Sequence, residues 1–204
     1  DPIAPVSAFT AMNKPDYYLA KAFDNRVGMA CVIQSTLELL GEELPNTLVS
    51  SGTVQEEVGL RGAKVAAAMQ QPDVAIVLEG PPADDSPGMP KSECQGCLGG
   101  GVQIRMQDPT AIMNPKLVEL VIATAEQEGI RYQLAMRGSG GTDAGSFHQA
   151  NEGIPSIVLG TPARYIHSHN AMIDINDYLE MVKLTKALVK KLDTPTVAGL
   201  TAYL

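Results

Sequence analysis

Five residues of this chain have the chemistry to hold a divalent cation and work beside it: Asp24, Glu56, Glu57, Glu79 and His167. Each closes a short apolar run. Carboxylate oxygens and an imidazole nitrogen gathered from several strand ends are the donors a metal-dependent hydrolytic site needs. Glu56 and Glu57 are adjacent, and successive side chains of extended backbone point in different directions, so the two cannot share one role. One can bind a metal while its neighbour takes a proton from water held on that metal. Taken singly, each residue also has a plainer reading. Glu56-Glu57 reads as a solvated pair at a loop, and Asp24 as a helix N-cap. Glu79 ends the apolar run Val74-Ala75-Ile76-Val77-Leu78, where a lone carboxylate is costly unless it is exposed or paired. His167 lies two residues from His169, and in extended chain at most one of the two enters a site.

The elements that must position these groups follow from patterning. Residues 1–20 carry Pro2, Pro5 and Pro15 and read as an extended lead-in rather than a core element. A helical stripe runs from Asn25 to Leu40, with Gly41 as its stop. Thr47 to Val54 is rich in β-branched residues and reads as a strand, and Arg61 to Gln71 as an alanine-rich helix. The apolar run ending at Leu78 predicts a strand buried on both faces. A long proline- and glycine-rich loop, Gly80 to Gly101, follows it. Strands are expected at Val102–Met106, Tyr132–Met136 and Ile154–Leu159. Helices are expected behind Pro115, from Thr142 (as its cap) to about Ala150, and from Asn176 to Leu192. This alternation predicts an α/β fold, doubly wound, with a mainly parallel sheet and helices on both faces. Ligands of such folds gather at the carboxyl ends of the strands, which is where the acids fall.

Composition narrows the function classes. With 204 residues, 45% hydrophobic, the chain can bury one core. Its net charge of −8 and lack of a basic stretch argue against nucleic-acid or anionic-membrane partners. No apolar stretch approaches the roughly 20 residues of a membrane span, and no secretory pattern opens the chain. Cys94-Gln-Gly-Cys97 has the spacing of half a zinc site or a redox pair. No second Cys/His pair completes a cage, so the plainer reading is two reduced thiols in a loop.

Five segments together resemble the M42 family of metallo-aminopeptidases, which includes the TET, glutamyl and deblocking aminopeptidases. They are Lys21-Ala22-Phe23-Asp24-Asn25-Arg26-Val27-Gly28, Gln55-Glu56-Glu57-Val58-Gly59-Leu60-Arg61-Gly62-Ala63, Val77-Leu78-Glu79-Gly80, Gly140-Gly141-Thr142-Asp143-Ala144 and Arg164-Tyr165-Ile166-His167-Ser168. They occur in the family's order. The resemblance implies that Asp24 bridges two metal ions, Glu57 and His167 complete one site, and Glu79, where the family more often has Asp, serves the other. It implies Glu56 as general base, and Gly141, Thr142 and Asp143 as a segment beside the site or in contact with substrate. It further implies two zinc or cobalt ions per complete subunit, a peptide substrate, a cytoplasmic location and a homo-oligomer, a dodecamer in many members.

The chain departs from the family in one respect. The other metal of the family takes a histidine from well before the bridging aspartate, and no histidine precedes Asp24 here. Residues 1–20 resemble the return from a β-rich domain inserted in family members, with 21–204 an incomplete catalytic domain. The expectation is therefore a partial enzyme with one metal site weak or empty, little activity alone, and exposed core-facing strands. Two alternatives belong to other classes. One is a non-catalytic, metal-deficient subunit or binding module of the same fold. The other is a glycosidase, disfavoured because adjacent glutamates do not face each other across a glycosidic bond, and a chain with no Trp offers little platform for sugars.

Overall fold

The computed structural model describes residues 2–202. Its elements in order are β1 (Thr10–Ala11), β2 (Tyr17–Ala20), α1 (Phe23–Leu39), α2 (Arg61–Gln70), β3 (Ala75–Glu79), β4 (Val102–Asp108), β5 (Ala111–Ile112), α3 (Pro115–Gln127), β6 (Tyr132–Met136), α4 (Ala144–Phe147), β7 (Ser156–Gly160), β8 (Ala163–Arg164), β9 (Ala171–Asp174), α5 (Ile175–Lys191) and α6 (Thr194–Thr201).

The central sheet runs β3-β7-β4-β5, with β6 also paired to β4. Helices cover both sides. α1, α5 and α3 pack side by side, while α4, with α2 against it, touches β3 and β7. The α/β class expected from the alternation is present. In detail the sheet is mixed: β3 with β7 and β4 with β6 are parallel, and β4 runs antiparallel to β7 where the two pairs meet. The main core is apolar. Ile104, Ile157 and Leu159 of the sheet and Leu117, Met181, Leu184 and Leu188 of the helices have no exposed surface. Burying side chains of this size stabilises the fold by about 1.5–3 kcal/mol each.

Three local expectations are corrected. The lead-in is partly core, because β2 pairs with β9 in a second, antiparallel sheet of order β1-β2-β9-β8, and Tyr17 and Ala20 are buried there. Thr47–Val54 forms no strand. It pairs with no strand among the described residues, and Leu48, Val49 and Val54 are exposed. A β-branched run becomes a strand only where another backbone satisfies its N–H and C=O groups. The same side of the molecule leaves Met29, Ile33, Leu37 and Leu40 of α1 and Val65 and Met69 of α2 exposed. Third, the helix expected to reach Ala150 is the four-residue α4, and the Thr142 hydroxyl is buried without a partner instead of capping it.

Candidate metal centre

Asp24 is held by its neighbour. Chain leaving β2 turns through Ala22 in the left-handed region (φ 55°), and Asp24 and Asn25 remain non-helical at the head of α1, joined by a cis peptide bond. The Asn25 side chain performs the cap: its Oδ1 accepts from the Gly28 N–H at 3.0 Å, and its Nδ2 donates to the Leu78 carbonyl at 2.8 Å. A Cβ on Gly28 would lie 2.2 Å from that same carbonyl, so only glycine lets α1 seat so closely on β3. Asp24 is therefore not an N-cap, and its carboxylate is free to face the site. Asn25 carries a signal that sequence reading passed over: a second side-chain amide donor directly after a candidate ligand.

Three donors converge. His167 Nε2 lies 3.0 Å from Asp24 Oδ2 and 3.4 Å from Glu57 Oε2. One donor atom from each residue falls within 4.8 Å of the others, the single such group of three or more found among the described residues. Glu57 and His167 are more than half exposed, while the Asp24 side chain is 15% exposed beneath them. The three open onto a shallow pocket walled by Lys21, Phe23, Ile166 and Ala171. Of eight non-glycine residues with positive φ among the described residues, four flank or belong to this group: Ala22, Gln55, Tyr165 and His167. Strained backbone of this kind persists only where the surroundings over-determine it, and it concentrates at functional sites.

A second set lies deeper. Glu79, the last residue of β3, is 7% exposed. Burial pushes its carboxyl well above the ordinary range. The Glu56 and Asp24 charges add to the effect, and Arg105, itself paired with Asp108 at 3.1 Å, opposes it. Glu56 faces inward, away from its exposed neighbour Glu57. Burial, then Asp143, Glu57 and Asp24, raise its carboxyl to about 7. Asp143 is raised by burial, against the hydrogen bond it accepts from Thr53. Its Oδ1 and the neighbouring Thr142 hydroxyl are buried without partners. Asp24 is raised as well, by burial first and Glu57 next, with His167 opposing. Gly141 packs against Thr110 at the base of this loop. Glu79, Glu56 and Asp143 are thus carboxyls whose proton affinity is raised by burial and, in Glu56 and Glu79, by neighbouring acids, beside three converged donors. A divalent cation among them would relieve both the repulsion and the desolvation penalty.

The other two histidines stand apart. The His148 ring is 2.8 Å from the Thr110 carbonyl, and His169 is an exposed residue of the loop before β9. Among the described residues, no histidine joins Glu79.

Residues 1–184 match the family of M42 glutamyl aminopeptidases. The chain belongs to the M42 family. A glutamyl aminopeptidase of Lactococcus lactis is 40% identical over 185 residues, 91% of this chain and 51% of the relative. The solved TET aminopeptidase of a marine-sediment Thaumarchaeota archaeon superposes with a TM-score of 0.92 at 41% identity, over 97% of this chain and 56% of that one. The TET1 peptidase of Pyrococcus horikoshii, which can assemble into a tetrahedron or a large octahedral shell, matches at 34% identity and a TM-score of 0.79, covering 91% and 53%. The chain thus spans about half the length of these relatives. Among the described residues, no helix is long and apolar enough to cross a membrane.

Proposed function

We propose that the complete M42 protein is an aminopeptidase and that the acidic centre described above is where it hydrolyses peptides. The observation that carries this reading is the convergence of Asp24, Glu57 and His167 with Glu56 turned inward beside them. Asp24, Glu57 and His167 would hold one divalent ion, zinc or cobalt by resemblance to the family, and Asp24 with Glu79 a second. When bound, such ions polarise the scissile carbonyl and acidify water. Glu56 takes the proton from the attacking water and delivers it to the departing amine. A carboxylate beside the attacking water can serve both directions of that transfer. Asp143, with a buried oxygen free of partners, binds the substrate's ammonium group beside Thr142 and Gly141. That contact sets the preference for a free amino terminus.

This chain by itself supplies only Asp24 and Glu79 to the second ion. We therefore assign it one firmly held ion and little peptidase activity, with the second site completed in the full-length protein. Homo-oligomeric assembly of the kind described for the Pyrococcus horikoshii relative, and a cytoplasmic location, complete the reading. A glycosidase is disfavoured because Glu56 and Glu57 diverge, one inward and one to solvent.

The test is turnover of an aminoacyl p-nitroanilide by the full-length protein, with and without an N-acetyl block and before and after chelation. Loss of activity on blocking and on chelation is expected. Equal cleavage of the acetylated substrate, or activity that survives metal removal, would overturn the proposal.

A further inference from the structure

The loop between β3 and β4 holds a pair of thiols that the metal centre does not use. Cys94 Sγ and Cys97 Sγ are 3.1 Å apart, and both residues are partly buried. The turn between them is fixed at every residue. The Gln95 N–H donates to Asp84 Oδ2 at 3.1 Å, the Asp84 N–H donates to the Gly96 carbonyl at 2.8 Å, and the Leu98 N–H donates to Asp85 Oδ2 at 3.0 Å. Gln133 clamps Cys97 from both sides, its Oε1 accepting from the Cys97 N–H at 2.8 Å and its Nε2 donating to the Cys97 carbonyl at 3.0 Å. The spacer Gly96 is closely packed as well, since a Cβ there would meet Gln103 Nε2 at 2.4 Å. Among the described residues, no third metal-binding donor joins the two sulfurs, which sets a zinc site aside.

We propose that Cys94 and Cys97 are a dithiol modification site that closes to an intrachain disulfide by exchange with a low-molecular-weight disulfide. Reaching the bonded separation of roughly 2.05 Å asks only about 1 Å of side-chain movement from a turn already held in place. The exchange balances in two steps. The Cys94 sulfur, its proton lost to solvent, attacks one sulfur of the small disulfide and expels a thiolate. The Cys97 sulfur then attacks the Cys94 sulfur of the mixed disulfide and expels the second thiolate. Two cysteine thiols are oxidised, one small disulfide is reduced to two thiols, and the two protons end on those thiols.

The hydrogen bond with Cys94, then burial, push the Cys97 thiol up to about 11, and it loses its proton to solvent as it attacks the mixed disulfide. A thiol held that high is also a poor leaving group, which makes the closed form slow to reopen. The turn is linked to the metal centre. Asp84 and Asp85, which hold it, form ion pairs with Arg137 at 2.7 Å and Arg164 at 2.6 Å. Arg137 opens the loop that leads to Asp143, and Arg164 precedes His167 by three residues.

The experiment is equilibration of the protein with mixtures of reduced and oxidised glutathione, an acid quench, alkylation and peptide mass mapping. Trypsin releases residues 92–105 with both cysteines, so closure appears as an unalkylated peptide lighter by about 2 Da. The expected result is that peptide, formed in a second step whose rate does not depend on oxidised glutathione. The buried Cys31, bonded to Ser35 and Thr185, stays unmodified and serves as an internal reference. Cys94→Ser and Cys97→Ser variants should stop at a single glutathione adduct. Glutathione on both cysteines, disulfide-linked dimers, or two thiols that remain fully alkylatable across the series would overturn the proposal.

Discussion

The acidic centre has an outer and an inner half, and they differ in kind. The outer half, Asp24, Glu57 and His167, is already converged, with Glu57 and His167 exposed over a half-buried Asp24 and the imidazole within reach of both carboxylates. The inner half, Glu79, Glu56 and Asp143, is all carboxylate and mostly buried, and each group is pushed toward its neutral form. The outer half has a ligand geometry, while the inner half has the electrostatics of a cation's absent neighbourhood. Burial alone does not make a metal site, and the mixed donor set is what distinguishes the half that can hold an ion unaided.

Substitutions should separate the two halves. Glu56→Gln in the full-length protein is expected to lower kcat by about 10²–10⁴ while leaving metal content unchanged. Loss of the ion with the activity would make Glu56 a ligand and erase the distinction. Asp24→Asn in this chain should weaken zinc binding by more than about 100-fold, since even partners that only orient a ligand are worth 10–100-fold. Unchanged affinity by calorimetry would remove Asp24 from the outer half. Asn25→Ala, which takes away the bonds to Gly28 and Leu78, should cost zinc affinity about 10-fold and stability about 1–3 kcal/mol, read from a urea midpoint.

The smallest effect concerns pH. Glu56 is raised in the folded, metal-free chain from 4.5 to about 7, so the folded state binds more protons than the unfolded state across that interval. Its contribution to stability is therefore greatest below about 4.5 and falls as pH rises toward about 7. Urea midpoints of the metal-free chain should decline over this range, and Glu56→Gln should flatten the decline. A steeper decline in the variant would reverse the assignment.

Much of this was legible from local pattern. The strand ending at Glu79, the helix behind Pro115 and the Tyr132–Met136 strand have the bounds that period and punctuation imply, within a residue or two. Glu79 lies at the end of a parallel strand, as the α/β alternation requires. What was not legible depends on partners distant in sequence. Thr47–Val54 has a strand's composition but pairs with no strand among the described residues, and β2 looked like lead-in until β9, about 150 residues later, paired with it. The reversed direction of β4 is set by packing between distant strands, which no local pattern encodes. Within the site, the different exposures of Glu56 and Glu57 come from a turn, closed by the Gly59 and Leu60 N–H groups on the Glu56 carbonyl, and not from the alternation of extended chain. The anchoring by Asn25 was not legible either, because its partner is a main-chain carbonyl 53 positions away.

The most direct test of the account is the zinc stoichiometry of this chain by native mass spectrometry after equilibration with zinc and removal of the excess. One ion per chain, lost in Asp24→Asn and kept in Glu79→Gln, is the predicted result. Two ions per chain, or one that departs with Glu79→Gln and stays with Asp24→Asn, would place the binding site in the inner half and contradict it.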